Sequence, residues 1–457
     1  RKRIERTLKR MRREGLERID ENLGLEICKR EGIKAMLVPK ITRIGNTYSL
    51  SAYIVDVATG NRLSPIRITV EGRDAVLRKA VDRLTRKIRK NLGESLLSIV
   101  RSDRSLPKVT TGSLEALEQF ALGFEKSRRP VDWEEIKIYF ENALSLDSTF
   151  AYAYAALGTI CDNNMEYEEA KKYYTKAIKY IDNLTDRERY RILAEYYRIV
   201  ENDPKKAIKS YRTLLDMYPD DVGAYNNIGY IYFRIGMYEE ALNAFRQALR
   251  IEPKFILSLN NTATVALHMR NFDLAVETGR KIVELDRDYP MGYLSMGRGY
   301  NGMGMYNRAI EVLTKADSLS PDNHWVLLHL GRAYKGLGMY EEALRALKKS
   351  VKMNPKNYYS LADIAKTYAL MGNREKALAV FDRLESIGNF GNRLYDEACV
   401  HALLGDTTEA MRVFKRAISE GLEYEYFRDY EDEVKLLRSV PGFEELVARL
   451  RERYGRI

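Results

Sequence analysis

Three cations, Arg298, Arg332 and Lys366, recur at intervals of 34 residues, and two asparagines, Asn227 and Asn261, share the same spacing. An arginine guanidinium offers a planar fork that meets a carboxylate or phosphate with two parallel hydrogen bonds, and a lysine ammonium adds a point charge. An asparagine amide carries a donor and an acceptor together, which suits the backbone of an extended peptide. The chemistry open to such ladders is recognition of a chain with acidic side chains or a free carboxylate. The competing reading is that Asn227 and Asn261 satisfy neighbouring helices while the cations are solvated.

Bond-making chemistry finds no comparable constellation. The string Gly297-Arg298-Gly299-Tyr300-Asn301-Gly302 satisfies the dinucleotide pattern, but it lies inside a helical pattern with no strand before it. There is no phosphate-loop Gly-Lys-Ser/Thr, no His-Glu-x-x-His, no Gly-x-Ser-x-Gly, no paired-cysteine motif and no kinase signature. His268, His324, His329 and His401 are too scattered for a metal site, and Cys28, Cys161 and Cys399 are far apart within helical patterns, which predicts buried free thiols. The chain is therefore expected to hold no catalytic residues, no metal and no cofactor.

The elements that position the ladders follow from a longer regularity. Ile136, Ala170, Ala207, Ala241, Ala275, Ala309, Ala343, Ala377 and Ala410 occupy one equivalent place, separated by 34 residues except for one step of 37 and a last step of 33. The clearest copy, residues 222–255, contains two amphipathic helices, with Tyr225, Ile228, Gly229 and Tyr232 on one face of the first and Ala241, Phe245 and Ala248 on one face of the second. Gly236 separates them, because a left-handed turn is cheapest at glycine, and Pro253 stops the second. Small residues at Gly229 and Ala241 allow close approach. One such pair cannot bury its apolar face alone, so neighbouring pairs must stack and share a core.

In a stack of this kind the first helix of each pair lines the inner wall. Its inward places are Asn226, Asn227, Tyr230 and Arg234 in one repeat and Asn260, Asn261, Thr264 and His268 in the next. Ser295, Arg298 and Asn301 follow, then Trp325, His329, Arg332 and Lys335, then Tyr359, Asp363 and Lys366. These places form the candidate site for a protein or peptide partner, an acidic one by the charge of the ladder.

The first 105 residues read differently. From Leu23 to Gly72 the sequence switches to strand period in three runs, read coarsely as helix, strand, strand, strand, with turn signals at Gly45-Asn46 and Ala58 to Asn61. From Asp74 to about Val100 a helix is predicted, since Val76, Leu77, Ala80, Val81, Leu84, Ile88 and Leu92 fall on one stripe able to cover a sheet face. Residues 1–105 hold 26 Lys/Arg against 13 Asp/Glu, so the whole basic excess of the chain, +11, belongs here, in RKRIERTLKRMRR and along the helix bearing Arg78 to Lys90. An alternative function is binding of nucleic acid or an anionic membrane through this region. No aromatic residue is interleaved for base stacking and no groove-reading motif accompanies the charge, so nucleic acid is not the expected partner. No apolar run reaches the 18–20 residues or so of a membrane helix. The expected organisation is a small α+β domain over 1–105, a linker over 106–112, about nine repeats over 113–422 and capping helices over 423–457, where Val434 to Leu450 would seal the last repeat. Self-association is left open.

Gly229, Tyr232, Gly236, Ala241, Phe245, Ala248 and Pro253 resemble the tetratricopeptide repeat (TPR). The match recurs in Gly297, Tyr300, Gly304, Ala309, Ala316 and Pro321 and in Gly331, Tyr334, Gly338, Ala343 and Pro355. The resemblance implies a mainly α fold, a TPR α-solenoid preceded by a small α+β domain with a three-stranded sheet. ICKREGIKAMLVPKI, YIVDVATG, IRKNLGES and TTGSLEALEQFALG resemble the sensor-like domain of TolB and flagellar-assembly proteins joined to TPRs. That pairing is similar to the carboxy-terminal region of bacterial eukaryotic-like serine/threonine kinases, adenylate cyclases and transcriptional regulators. It implies a regulatory or sensory part of a larger signalling protein with a membrane helix and catalytic domain upstream of Arg1. The compartment is then cytoplasmic, or extracytoplasmic if the chain is attached to a membrane-anchored kinase. The lysine and asparagine clamp of chaperone-binding members is only partly reproduced, by Arg234 and the asparagine pair.

Overall fold

The structure, a computed structural model, describes residues 19–30, 33, 35–62, 65–91, 111–126, 133–384, 387, 390–423, 427, 437–438 and 440–454. The basic stretch RKRIERTLKRMRR, the continuation of the helix from Leu92 to Val100 and residues 106–110 of the expected linker lie outside them. Two compact units divide between Met237 and Tyr238.

The first unit opens with α1 (Glu21–Arg30) and an antiparallel sheet of β1 (Ala35–Ile44), β2 (Thr47–Asp56) and β3 (Ile66–Glu71), in the order β1-β2-β3. Ile44 pairs with Thr47 across a two-residue turn in which Gly45 has φ +59°, so the turn signal in the sequence sets the register. Along β2, Leu50, Ala52 and Ile54 are buried, as is Val55, while Ser49, Ser51 and Tyr53 are half-buried; on β3, Ile68 and Val70 are buried while Arg67 and Thr69 are exposed. A helical segment follows, with a π turn at Val76–Ala80 leading into α2 (Val81–Asn91). Val76 and Ala80 are buried against Leu50, Ile68 and Val70, with Val81 and Leu84 packed alongside, so the apolar stripe covers one sheet face.

Helix pairs fill the rest of this unit: α3 (Leu114–Lys126) with α4 (Trp133–Leu146), α5 (Ala151–Asn163) with α6 (Tyr167–Lys179), and α7 (Asp186–Ile199) with α8 (Pro204–Met217), then α9 (Val222–Arg234). The three extra residues of the 37-residue step form a short 3-10 turn at Ile181–Asn183. Thr185 then starts α7 with a reciprocal cap, its hydroxyl accepting from the Glu188 amide while the Glu188 carboxylate accepts from that of Thr185.

The second unit continues the pattern. It contains α10 (Tyr238–Ile251), α11 (Ile256–His268), α12 (Phe272–Leu285), α13 (Pro290–Gly302), α14 (Tyr306–Leu319), α15 (His324–Gly336) and α16 (Tyr340–Met353). These are followed by α17 (Tyr358–Leu370), α18 (Arg374–Leu384), α19 (Phe390–Leu403), α20 (Thr407–Ser419) and α21 (Phe443–Tyr454). All nine positions of the 34-residue register, from Ile136 to Ala410, are buried.

Two details explain why the period is strict. A methyl group added at Gly158 would lie 2.7 Å from the Tyr174 ring, at Gly297 2.4 Å from Leu313, and at Gly331 2.5 Å from Leu347. A bulky residue 16 places later thus fills the space each glycine leaves. Where the first helix turns into the second, one residue takes left-handed backbone, as Gly304, Gly338 and Gly372 do at φ near +70°. The same slot falls on Met165, Asn202 and Arg270, each with φ between +51° and +62°. The register therefore imposes the conformation even where the residue type disfavours it.

At the carboxy-terminal end, Leu422, Phe427, Leu437, Phe443, Val447 and Leu450 share a core with Tyr395 and Phe414. The described helix here starts at Phe443, directly after Pro441 and a left-handed Gly442 (φ +87°), while Val434 to Leu436 of the expected helix lie outside the described residues.

Candidate peptide-binding face

The inward places of the first helices fall into two groups, one in each unit. In the first unit Asn226 is buried and donates through Nδ2 to Asn227 Oδ1 at 3.2 Å, and Asn227 donates to the Tyr211 hydroxyl at 2.7 Å. Tyr211 donates to Glu195 Oε1 at 2.5 Å, and Arg198 ties Glu195 to Asp162 with bonds of 2.8 and 2.6 Å. Burial first, and the Glu195 carboxylate second, push the Tyr211 hydroxyl well above the usual phenol range. Glu195 stands in the slot that Gly158 and Gly229 fill in the flanking repeats, so a charged residue here is accommodated by a network that satisfies it. Asn226 and Asn227 serve this network, which joins neighbouring helices. Tyr230 faces the Arg198 guanidinium at 5.8 Å and accepts from the exposed Arg234 at 3.3 Å.

In the second unit the ladder of cations is tied from repeat to repeat. Arg332 Nε donates to Asp363 Oδ2 at 2.7 Å, and Lys335 Nζ donates to Asp363 Oδ1 at 2.5 Å. Burial works to raise the Asp363 pKa, but Arg332, Lys335 and Lys366 overcome it and hold the carboxyl well below its ordinary value. Lys366 Nζ stands 2.6 Å from Asp396 Oδ1, with the two side chains 2% and 0% exposed, and the Tyr358 hydroxyl also donates to Asp396. Lys366 is thus not displayed on the inner wall as its ladder position suggests. An ammonium at this depth needs a carboxylate, and Asp396 of the following repeat supplies one.

His329 is buried, and burial, Arg298 and Arg332 lower its pKa well below that of a free imidazole, against a smaller opposing effect of Asp363. Asn301 donates to the His329 carbonyl at 2.9 Å. Asn260 and Asn301 each have a buried side-chain oxygen without a hydrogen-bond partner among the described residues, and Asn261 is half-buried. Trp325 is 42% exposed and Tyr359 37%, with their ring centroids 5.9 Å apart.

The residues that sequence reasoning missed are the partners: Glu195 and Tyr211 in the first unit, Tyr358 and Asp396 in the second. A signal for one set exists, since Asp363 follows Arg332 by 31 residues and Asp396 follows Lys366 by 30, slightly under one repeat.

The glycines of the dinucleotide-like string are packing glycines in α13. Gly297 abuts Leu313, and Gly299 and Gly302 abut Val276 and Phe272. All three cysteines are buried free thiols, and burial, with Glu166 adding to it, pushes Cys161 up to about 11. Among the described residues, no helix is long and apolar enough to cross a membrane.

Models of the tetratricopeptide repeat match residues 151–183, 222–255, 301–349 and 335–391. The helix pairs are tetratricopeptide repeats. The chain is 33% identical over 87 residues to the photosystem I assembly protein Ycf3 of Prochlorococcus marinus (strain NATL2A), which covers 19% of this chain and 50% of that protein. To Ycf3 of Synechococcus sp. (strain CC9605) it is 33% identical over 91 residues, covering 20% and 52%. The chain spans about half the length of these curated relatives. A solved tetratricopeptide repeat protein from Parabacteroides merdae ATCC 43184 is similar at 19% identity, with 55% of this chain and 98% of that one covered and a TM-score of 0.47. The repeats account for the small-residue contacts and the left-handed slots, while the inward side chains differ from repeat to repeat.

Proposed function

We propose that this chain is a non-catalytic scaffold that binds a protein or peptide partner along the first-helix faces of its tetratricopeptide repeats, as the regulatory or sensory part of a larger signalling protein. Tetratricopeptide repeats generally serve as protein-interaction scaffolds. The observation that carries the reading is the exposed Trp325–Tyr359 pair, because large aromatics left in water beside partly desolvated cations are the usual anchors of an interface. A photo-crosslinking residue at position 325 should yield a covalent adduct with a polypeptide partner, and the same residue at Arg345, on the outward face of α16, should not. Adducts of equal yield at both positions would remove the reading.

A second reading rests on α2, where Arg83, Arg86, Lys87 and Lys90 are exposed. Binding of nucleic acid or an anionic membrane there would weaken steeply with salt, and charge reversal at these four positions would abolish it. Peptide capture by the repeats would not respond to those substitutions.

A further inference from the structure

In the second unit the turns joining α13 to α14, α15 to α16 and α17 to α18 carry bulky apolar side chains into water. Met305, Leu337, Met339, Leu370 and Met371 are each between 37% and 43% exposed, and Met303 is half-buried beside them. None of the nine residues 303–305, 337–339 and 370–372 is ionisable. Helices α13, α15 and α17 pack against one another in that order with axes about 10 Å apart, so the three turns form one row about 20 Å long.

Helix stability is forgone to keep this row apolar. Met305 and Met339 stand at the N-caps of α14 and α16 and make no side-chain capping bond. In the same slot of other repeats Asn271, Asn373 and Asp406 accept from the backbone amides of Leu274, Lys376 and Glu409. Such a cap stabilises a helix, and methionine has no oxygen with which to make it.

Between its side chains the row is bare. Gly304, Gly338 and Gly372 hold left-handed backbone, and a methyl group added at any of them would meet no atom within 4 Å. Crests and gaps alternate, so an inverted copy of the same row can seat its methionines in the gaps, to which their unbranched chains adapt. Charge does not oppose that pairing, because residues 238–457 hold 32 Lys/Arg against 31 Asp/Glu.

We infer that a second copy of this chain docks here, row against row, about a two-fold axis near Gly338. The exposed strip is on the order of 400 Å² per copy, so two strips together bury about half of a standard interface of roughly 1,600 Å², and the dimer is reversible. Leu337 lies 12 residues beyond Trp325, about 18 Å along the axis of α15, so the dimer leaves the Trp325–Tyr359 face uncovered and presents it twice. A partner with two recognised segments then gains avidity. The pairing itself does not depend on what that face binds.

Sedimentation equilibrium of the full chain tests this. The weight-average mass should rise from that of a monomer toward that of a dimer between about 2 and about 200 μM. Met305→Asp combined with Met339→Asp supplies both missing caps and sets carboxylates against one another across the axis. That variant should melt at a higher temperature and associate at least tenfold more weakly. Met371→Lys, a cation at the carboxy-terminal end of α17, should weaken association to a similar degree and keeps the test decisive if the double variant does not fold. Trp325→Ser should leave association unchanged.

The inference is overturned if the chain stays monomeric over that range, or if either folded charge variant associates as the wild type does. Loss of the dimer in Trp325→Ser would move the contact to the inner face and overturn it equally. Flotation of a monomeric chain with neutral phosphatidylcholine vesicles would assign the row to lipid instead. Each of these failures leaves the scaffold reading standing, since the crosslinking experiment decides that reading by itself.

Discussion

Replacing Lys366 by Met separates a structural cation from a displayed one. Lys366 and Asp396 are almost wholly withdrawn from water and 2.6 Å apart, and at an effective dielectric of about 20 their gross attraction is about 6 kcal/mol. Part of that offsets the desolvation of both ions. Removing one partner leaves the Asp396 carboxylate buried without its ammonium counter-ion, at an expected cost of about 3–5 kcal/mol. Methionine is close to lysine in length, so lost packing adds little. Guanidinium unfolding reads the cost through Trp325 fluorescence in a Trp133→Phe background, since the chain has two tryptophans and Trp325 lies in the second unit. Adding Asp396→Asn, which removes the stranded charge and keeps an acceptor for Tyr358, should restore most of the loss. A destabilisation below about 1 kcal/mol for Lys366→Met, or no recovery in the double variant, would refute the argument that this ion pair is a structural tie.

Met165 is 74% exposed and holds φ +62° in a slot that glycine fills in other repeats, so Met165→Gly should stabilise the chain. Relief of about 1–2 kcal/mol of left-handed strain outweighs about 0.5–1 kcal/mol of added backbone entropy, and a lower melting temperature would contradict this. His329 stays neutral when folded but takes up a proton when unfolded below pH ~6.5, so its contribution is complete above that pH and is lost as the pH falls. The wild-type unfolding free energy should therefore drop more steeply than that of His329→Asn between about pH 6.5 and 5, by up to about 1.4 kcal/mol per pH unit, and equal slopes would refute it. Deleting residues 423–457 removes Phe427, Phe443, Val447 and Leu450 from the core around Phe414 and should cause aggregation and dye binding. A monomeric truncation with an unchanged melting temperature would remove the sealing role.

Much of the fold is legible in the chain because its information is local and repeated. Gly331 with Leu347, and Gly338 at the turn, each state one requirement of a helix pair, and the register repeats both requirements at 34-residue intervals. The candidate face is less legible. Asn227 reads as a ligand-facing amide, but Tyr211 lies 16 residues earlier on the neighbouring helix and receives its hydrogen bond. A side chain's partners are set by the next element in space, which periodicity alone does not specify.

Spacing along the chain dictates helix pairs with small residues at their contacts, a left-handed slot at each turn and a three-stranded sheet before them. These follow from spacing and backbone sterics. Only the packing of neighbouring helices settled which inward side chains are tied up in ion pairs and which stay exposed. A buried charge must be neutralised where it lies, so Asp396 withdraws Lys366 into the core and Asp363 binds Arg332 and Lys335. Trp325 and Tyr359 are left on the open face beside them.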